Sequence, residues 1–243
     1  MPFQKLRGDL HIHSTFSDGR NSPEEILLKA LEKELDVISI TDHDTFSGSI
    51  RALKAVKSMQ LDIVIIIGAE IRTTAGDILV YCSDAPLEII PRDPLELADM
   101  AHEHGCIVAP AHPFDTRRKG IGRLAYDRKW DAIEVYNAYS DPLSNRRAEQ
   151  VARELGVPGL ANSDAHVVDA IGAAYNIIEV SSRDGEAVLK AIKDGRVTPI
   201  HGRPSLSAVA STLAWSIERR IGKRRGPSRL DYIEEESYGE PEV

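Results

Sequence analysis

Two histidines on the same face of an extended segment can grip one cation. The run Asp9-Leu10-His11-Ile12-His13 offers such a pair, because residues i and i+2 of a strand point the same way, and Asp18 follows shortly after. Other apolar runs close in side chains of the same chemical kind. LDVISIT leads into Asp42-His43-Asp44, LDIVIIIGA into Glu70, and GCIVAPA into His112; DAIEVYN carries Glu134, and LANSDAH closes on Asp164 and His166. Imidazole and carboxylate mixtures suit Zn, Mn or Fe, and a carboxylate such as Glu70 can bridge two cations and offset their repulsion. Taken singly, His43 or His112 reads as a structural histidine, and Glu70 as a helix cap or a partner for Arg72. Of the eight histidines, however, five close apolar runs, which favours one shared metal site. His102 and His104 fall in a helical segment and receive no role. No Gly-x-Ser-x-Gly turn is present to support a serine nucleophile.

Residues so scattered must be gathered by the fold. The apolar runs alternate with segments of helical period, SPEEILLKALEKEL, SGSIRALKAVKSMQL, DPLELADMAHEHG, PLSNRRAEQVAREL and DGEAVLKAIKDG. Ser22 before Pro23 reads as an N-cap, and Gly105 and Gly156 stand where helices stop. Strand–helix alternation is the signature of parallel βαβ units. About seven such repeats suit a closed or nearly closed α/β barrel, with a doubly wound open sheet as the competing architecture. In a parallel barrel every strand ends on one face, so the scattered ligands would converge there.

The bulk properties narrow the function. The chain has 243 residues, a mean hydropathy of -0.25 and a formal net charge of -8. That charge opposes broad wrapping of nucleic acid, although a local basic patch can still hold a phosphate. No run reaches the length of a membrane span and the N-terminus lacks a signal-peptide pattern, so a cytoplasmic protein with no membrane partner is expected. Cys82 and Cys106, each in an apolar stretch, are expected as buried reduced thiols. Residues 1–206 read as the barrel. Residues 207–243 read as a C-terminal helix, running to Ile221, followed by a basic cluster and an acidic, solvated tail.

In their order, DLHIHSTFSDG, ITDHDT, GAE, APAHPF, EVYNA and NSDAH resemble the PHP (polymerase and histidinol phosphatase) domain family, over most of the chain from about Asp9 to Ala173. The resemblance implies a distorted (β/α)7 TIM-like barrel, two or three divalent metal ions, and hydrolysis of phosphate esters. It implies His11, His13, Glu70 and Asp164 as ligands of one metal, Asp18, His43 and His166 of a second, and Glu70 with His112 of a third. Many members carry another histidine just after the glutamate strand; here Asp77 stands at that place, and a carboxylate can replace imidazole at a metal. Asp18 in SDG, with TDHDT, resembles the branch that includes nucleotide phosphatases and a 5′ to 3′ exoribonuclease. The implied activity is that of a phosphoesterase acting on a nucleotide or short oligonucleotide through metal-activated water, with Asp18, His43, Glu70, His112, Asp164 and His166 carrying the chemistry. The alternatives are a small-metabolite phosphatase and a noncatalytic, metal-stabilised partner-binding module. Asp9, Asp42 and Asp44 are placed to orient ligand imidazoles. Arg117 and Arg118, with Lys119 and Arg123, form a basic loop for substrate phosphate. Asn137 is expected at the substrate or the rim, and Asn145, Arg146 and Arg147 as capping and surface residues opening a helix.

Overall fold

A computed structural model describes residues 3–222; the charged tail foreseen beyond Arg224 lies outside the described residues. The chain is mixed α/β. In order it forms β1 (Gln4–Ile12), α1 (Pro23–Glu32), β2 (Val37–Ile40), α2 (Ser47–Met59), β3 (Val64–Ile65), β4 (Ile67–Arg72), β5 (Asp77–Cys82) and α3 (Pro94–Glu103). There follow β6 (Ile107–Pro110), β7 (Ile133–Asn137), α4 (Pro142–Leu155), β8 (Gly159–Asn162), β9 (Tyr175–Val180), α5 (Gly185–Lys193), β10 (Val197–Ile200) and α6 (Leu206–Arg220). Short-range chemistry sets several helix ends. Ser22 and Glu25 form a reciprocal capping box on α1, Asp93 and Asp141 cap α3 and α4 just before prolines, and Gly156 ends α4 with φ of 69°. Among the described residues no helix is long and apolar enough to cross a membrane.

The strands form three hydrogen-bonded sheets, ordered β10-β9-β1-β2-β3, β4-β5-β6 and β7-β8. Single parallel bridges join their edges at Ile12–Ala165 and His43–Glu70. β2, β5 and β6 are buried at every position, as expected where helices cover one face and the opposing sheets the other. The expectation of uniformly parallel βα repeats is corrected here. β5 runs antiparallel to both β4 and β6, and β9 antiparallel to β1 and β10. Only residues 73–76 separate β4 from β5, far too few for the crossover that a parallel pair needs. The reversal has a consequence for chemistry: β5 presents its first residue, Asp77, at the end where β4 presents Glu70.

The same reversal overturns the reduced-thiol expectation, because Cys82 and Cys106 form a disulfide. Tyr81 pairs with Ile107 in the antiparallel register, so the next pair outward is Cys82 with Cys106. Had β5 and β6 been parallel, the two cysteines would have stood at opposite ends of the sheet. The bond closes a loop with a sequence separation of 24. Reduction should therefore lower the free energy of urea unfolding by about 3 kcal/mol, and thiol titration of the denatured, unreduced protein should find no free cysteine; two titratable thiols would refute the pairing.

Candidate metal centre

The ligand-type side chains sit at the strand ends that face one another. His11 is the penultimate residue of β1 and His13 lies one residue beyond the strand, where its amide donates to Ala165 O at 2.8 Å. Their Nε2 atoms are 3.1 Å apart. Asp18 is carried by the β1–α1 loop, and Gly19 is what allows that loop to close: a Cβ there would stand 2.1 Å from His13 O. Asp42, wholly buried, staples the same loop by accepting from Ser14 N at 2.8 Å, Ser14 Oγ at 2.6 Å and Ser17 Oγ at 2.5 Å. His43 meets Glu70 through the bridge between β2 and β4. His112 and Asp164 follow β6 and β8 with φ of 30° and 51°, a left-handed backbone that non-glycine residues seldom adopt and that turns both side chains inward.

Among the described residues, four groups of donor atoms converge closely enough to hold cations: His13, Asp18, His43 and His166; His11, His13 and Glu70; His11, His112 and Asp164; and Glu70, Asp77 and His112. Glu70 is central. Its Oε2 lies 3.3 Å from His11 Nε2, 3.2 Å from His13 Nε2 and 3.3 Å from His43 Nδ1, and its Oε1 lies 2.9 Å from His112 Nε2. Asp164 Oδ1 stands 3.4 Å from His13 and 3.5 Å from His166, while Asp18 Oδ1 stands 3.1 Å from His166. Among the described residues, the buried side-chain atoms without a hydrogen-bond partner include His13 Nδ1, Asp18 Oδ1, His43 Nδ1, Asp77 Oδ1 and His112 Nδ1. Polar atoms are rarely left so when buried, and five orphans of ligand type at one centre fit divalent cations.

Electrostatics agrees. Burial opposes the charge on His11, but the carboxylates of Glu70 and Glu134 overcome it and raise its pKa to about 10. Without a cation, a proton on His11 thus balances the carboxylates. Burial lowers His43 and His166 to about 4, so both present free lone pairs at neutral pH. Burial, with the nearby Glu70, raises Asp77 to about 7. Asp18 is held well below the carboxylate range despite burial, chiefly by His166.

The structure brings together His11, His13, Asp18, His43, Glu70, Asp77, His112, Asp164 and His166, and it adds His13 to the group around Asp18. Arg118 pairs with Asp164 Oδ2 at the wall of the cavity above the cluster, and Arg117, 3.3 Å from Asp115, lies on the same wall. Asn137 is placed otherwise than expected. It is wholly buried beneath the cluster, donating to Glu134 at 3.1 Å and to Asp164 at 3.0 Å, and its amide is committed to the protein. Asp44, expected to orient an imidazole, binds Arg72 and Arg92 instead. His102 sits on α3, 2.8 Å from Asp131.

One residue and one helix take roles that the sequence pattern does not assign: Glu134, which stands among the ligand-type residues of the apolar runs, and α6. Glu134 Oε1 lies 2.9 Å from His11 Nδ1, which directs Nε2 toward the cluster, and its Oε2 accepts from His112 N at 2.7 Å. Its position within an apolar run was the available signal. The other is α6, read as part of a terminal appendage. Its Trp215 Nε1 and Arg219 Nη1 both donate to Asp18 O at 2.8 Å, and Arg219 also grips the Asp18 carboxylate. No local pattern signals this contact across nearly the whole chain.

Comparison with known proteins shows the model of the PHP domain matching residues 9–144 and that of a PHP-associated region matching residues 142–197. An uncharacterised protein of Methanocaldococcus jannaschii is 33% identical over 165 residues, covering 62% of this chain and 94% of that one. A 5′-3′ exoribonuclease of Haemophilus influenzae is 43% identical over 65 residues, covering 27% of this chain but only 23% of its own length. Among solved structures, a two-domain protein from Bacteroides vulgatus, containing a predicted PHP-like metal-dependent phosphoesterase, superposes with a TM-score of 0.70 at 19% identity, over 82% of this chain and 66% of that one.

Metal uptake should depend on pH with a defined sign. A cation taking His11 Nε2 must displace a proton from a group whose pKa is about 10, so affinity rises with pH throughout the range below that value. It should weaken by about tenfold per unit for one displaced proton, and more steeply below the Asp77 value of about 7. Isothermal titration in buffers of different ionisation enthalpy would count the proton; an affinity flat between pH 7 and 9 would refute a protonated His11. Saturation with Mn or Zn at about 100 times Kd should add about 2.7 kcal/mol, or roughly 5–10 °C in Tm. Gly19→Ala should cost about 1–3 kcal/mol and reduce the bound metal count, by pushing the Asp18 loop off His13.

Proposed function

The chain belongs to the PHP domain family, and on that premise we propose that it is a metal-dependent phosphoesterase hydrolysing phosphate esters of a nucleotide or short oligonucleotide with metal-activated water. One observation carries this reading: an anionic and imidazole floor lies beneath a cationic rim. The cavity over the cluster has a volume of about 530 Å³, with Asp18, His43, Glu70, His112, Asp164 and His166 below and Arg117, Arg118, Lys119, Arg219 and Arg220 on its walls. A floor of this kind takes divalent cations, and a rim of this kind takes the phosphate of a substrate. In the proposed assignment His11, His13, Glu70 and Asp164 hold one ion, Asp18, His43 and His166 a second, and Glu70, Asp77 and His112 a third, with Mn, Fe and Zn all suited to the donors. We also read the three sheets as arcs of one distorted (β/α)7 barrel, with α6 as a C-terminal addition across its mouth.

Cations held there would supply Lewis acidity to the phosphoryl oxygens and lower the pKa of water. The protein does the rest. Glu134 fixes the orientation of His11, and Asn137 holds Asp164. Asp42 holds the neighbouring Ser17 of the same loop, and Arg219 grips Asp18 itself. Arg118, with its guanidinium 5.5 Å from the centre of the Tyr139 ring, is held where a phosphoryl oxygen would enter. Tyr139 in turn bonds Thr212 of α6 at 2.8 Å, so the wall of the cavity is braced by the helix. The relative named as an exoribonuclease adds weight to a nucleic-acid substrate over a small metabolite.

His43→Ala should abolish turnover of the metal-loaded protein on a panel of phosphate mono- and diesters, with folding retained, because the residue lies in the loop after β2, outside the apolar core. His102→Ala should change turnover less than about twofold, since it loses one partly exposed pair with Asp131. A dead His102 variant beside an active His43 variant would overturn the assignment. A wild-type protein that binds metal but cleaves no ester would favour the noncatalytic module.

A further inference from the structure

A second cavity, of about 570 Å³, opens beside the first between the end of β7, the first turns of α4 and the start of α6. Its most distinctive feature is a pair of rings. Tyr136 and His201 stack at 4.2 Å between centroids with 11° between planes. The Tyr136 hydroxyl donates to Gly202 O at 2.6 Å, which holds the segment after β10 against the end of β7. His201 itself is exposed and lines the cavity, so part of its side chain is accessible to a ligand there. Arg146 and Arg203, both exposed, stand over a floor of Val135, Pro142 and Val209. The acidic residue of the lining, Glu149, lies 3.7 Å from Arg153, which offsets its charge.

The two cavities are joined by structure. Val209 lines one and Thr212 the other, and three residues of helix span about 4.5 Å. Between them stands Tyr139, bonded to Thr212 and facing Arg118. The relation is also fixed from below. Asn145, in the second cavity, accepts from Asn137 N and donates to Asn137 O, both at 3.1 Å, while the Asn137 side chain donates to the Asp164 carboxylate. An apolar floor, an aromatic face and flanking guanidinium groups together match a nucleobase with its phosphate.

We propose that this cavity is a nucleoside subsite, receiving the base and phosphate of the nucleotide adjoining the ester to be cleaved, so that the preferred substrate is single-stranded nucleic acid and not a free mononucleotide. The proposal rests on the phosphoesterase reading, but binding tests it independently. In the chelated, full-length protein, anisotropy of a fluorescein-labelled octauridylate should show His201→Ala and Arg203→Ala each weakening binding by about tenfold. His201→Phe should restore most of the affinity, and Arg203→Ala should also flatten the salt dependence. In the Mn-loaded protein the same variants should raise KM for the oligonucleotide and leave turnover of bis(p-nitrophenyl) phosphate, which has no nucleoside, unchanged. Equal binding by wild type and His201→Ala overturns the subsite. So does an equal loss of both activities, which would mark a structural role, or a wild-type dimer that His201→Ala dissociates while the octauridylate never binds. If wild type binds the oligonucleotide through His201 yet hydrolyses no phosphate ester, the subsite stands and the phosphoesterase reading fails.

Discussion

The burial of Glu70 is the constraint on which the rest of the structure depends. A carboxylate that is 1% exposed cannot hold its charge in an apolar interior without compensation. Protonated His11 supplies it, within a ring of four imidazoles that come from the end of β1, from the loop after β2 and from the loop after β6. Strand ends distant in sequence must therefore meet at one point. The bridges His43–Glu70 and Ile12–Ala165 are the places where the sheets join to make this possible. In the metal-free state a proton on His11 completes the balance; cations would take over that role with more charge and more ligands.

Around this centre the second layer is nearly all hydrogen bonding to carboxylates. Asp42 staples a loop, Glu134 orients His11, and Asn162 and Asn137 satisfy Glu134. Such a network leaves little freedom for the ligands, which is the condition for donor atoms to sit ready for an ion. The left-handed backbones at His112 and Asp164 belong to the same economy: the chain accepts local strain where it turns an inward-facing ligand.

The outer layer carries the opposite sign. The chain is acidic overall, with a formal net charge of -8, yet arginines and a lysine crowd the mouth of the site. Net charge acts at long range and is screened beyond about 8–10 Å, so the local rim decides what enters. α6 contributes to that rim and to the hold on Asp18, with Trp215 buried against the body of the protein.

The sequence by itself determined the candidate ligands and much of the local structure. The His-x-His pair, the SDG and DHD segments, and the capping of α1 by Ser22 act over a few residues, where strand period and backbone hydrogen bonding leave few alternatives. It also determined the alternation of strands and helices, because periodicity reports which face is buried. Only the tertiary structure decided direction and proximity. Apolar runs such as DILVYC read the same whichever way the strand points, so the reversal of β5, the pairing of Cys82 with Cys106 and the arrival of Asp77 beside Glu70 became visible only with the register. The grip of Arg219 on Asp18, separated by 201 residues, depends likewise on where α6 docks, and docking is set by burial of Trp215 among side chains that no local pattern identifies.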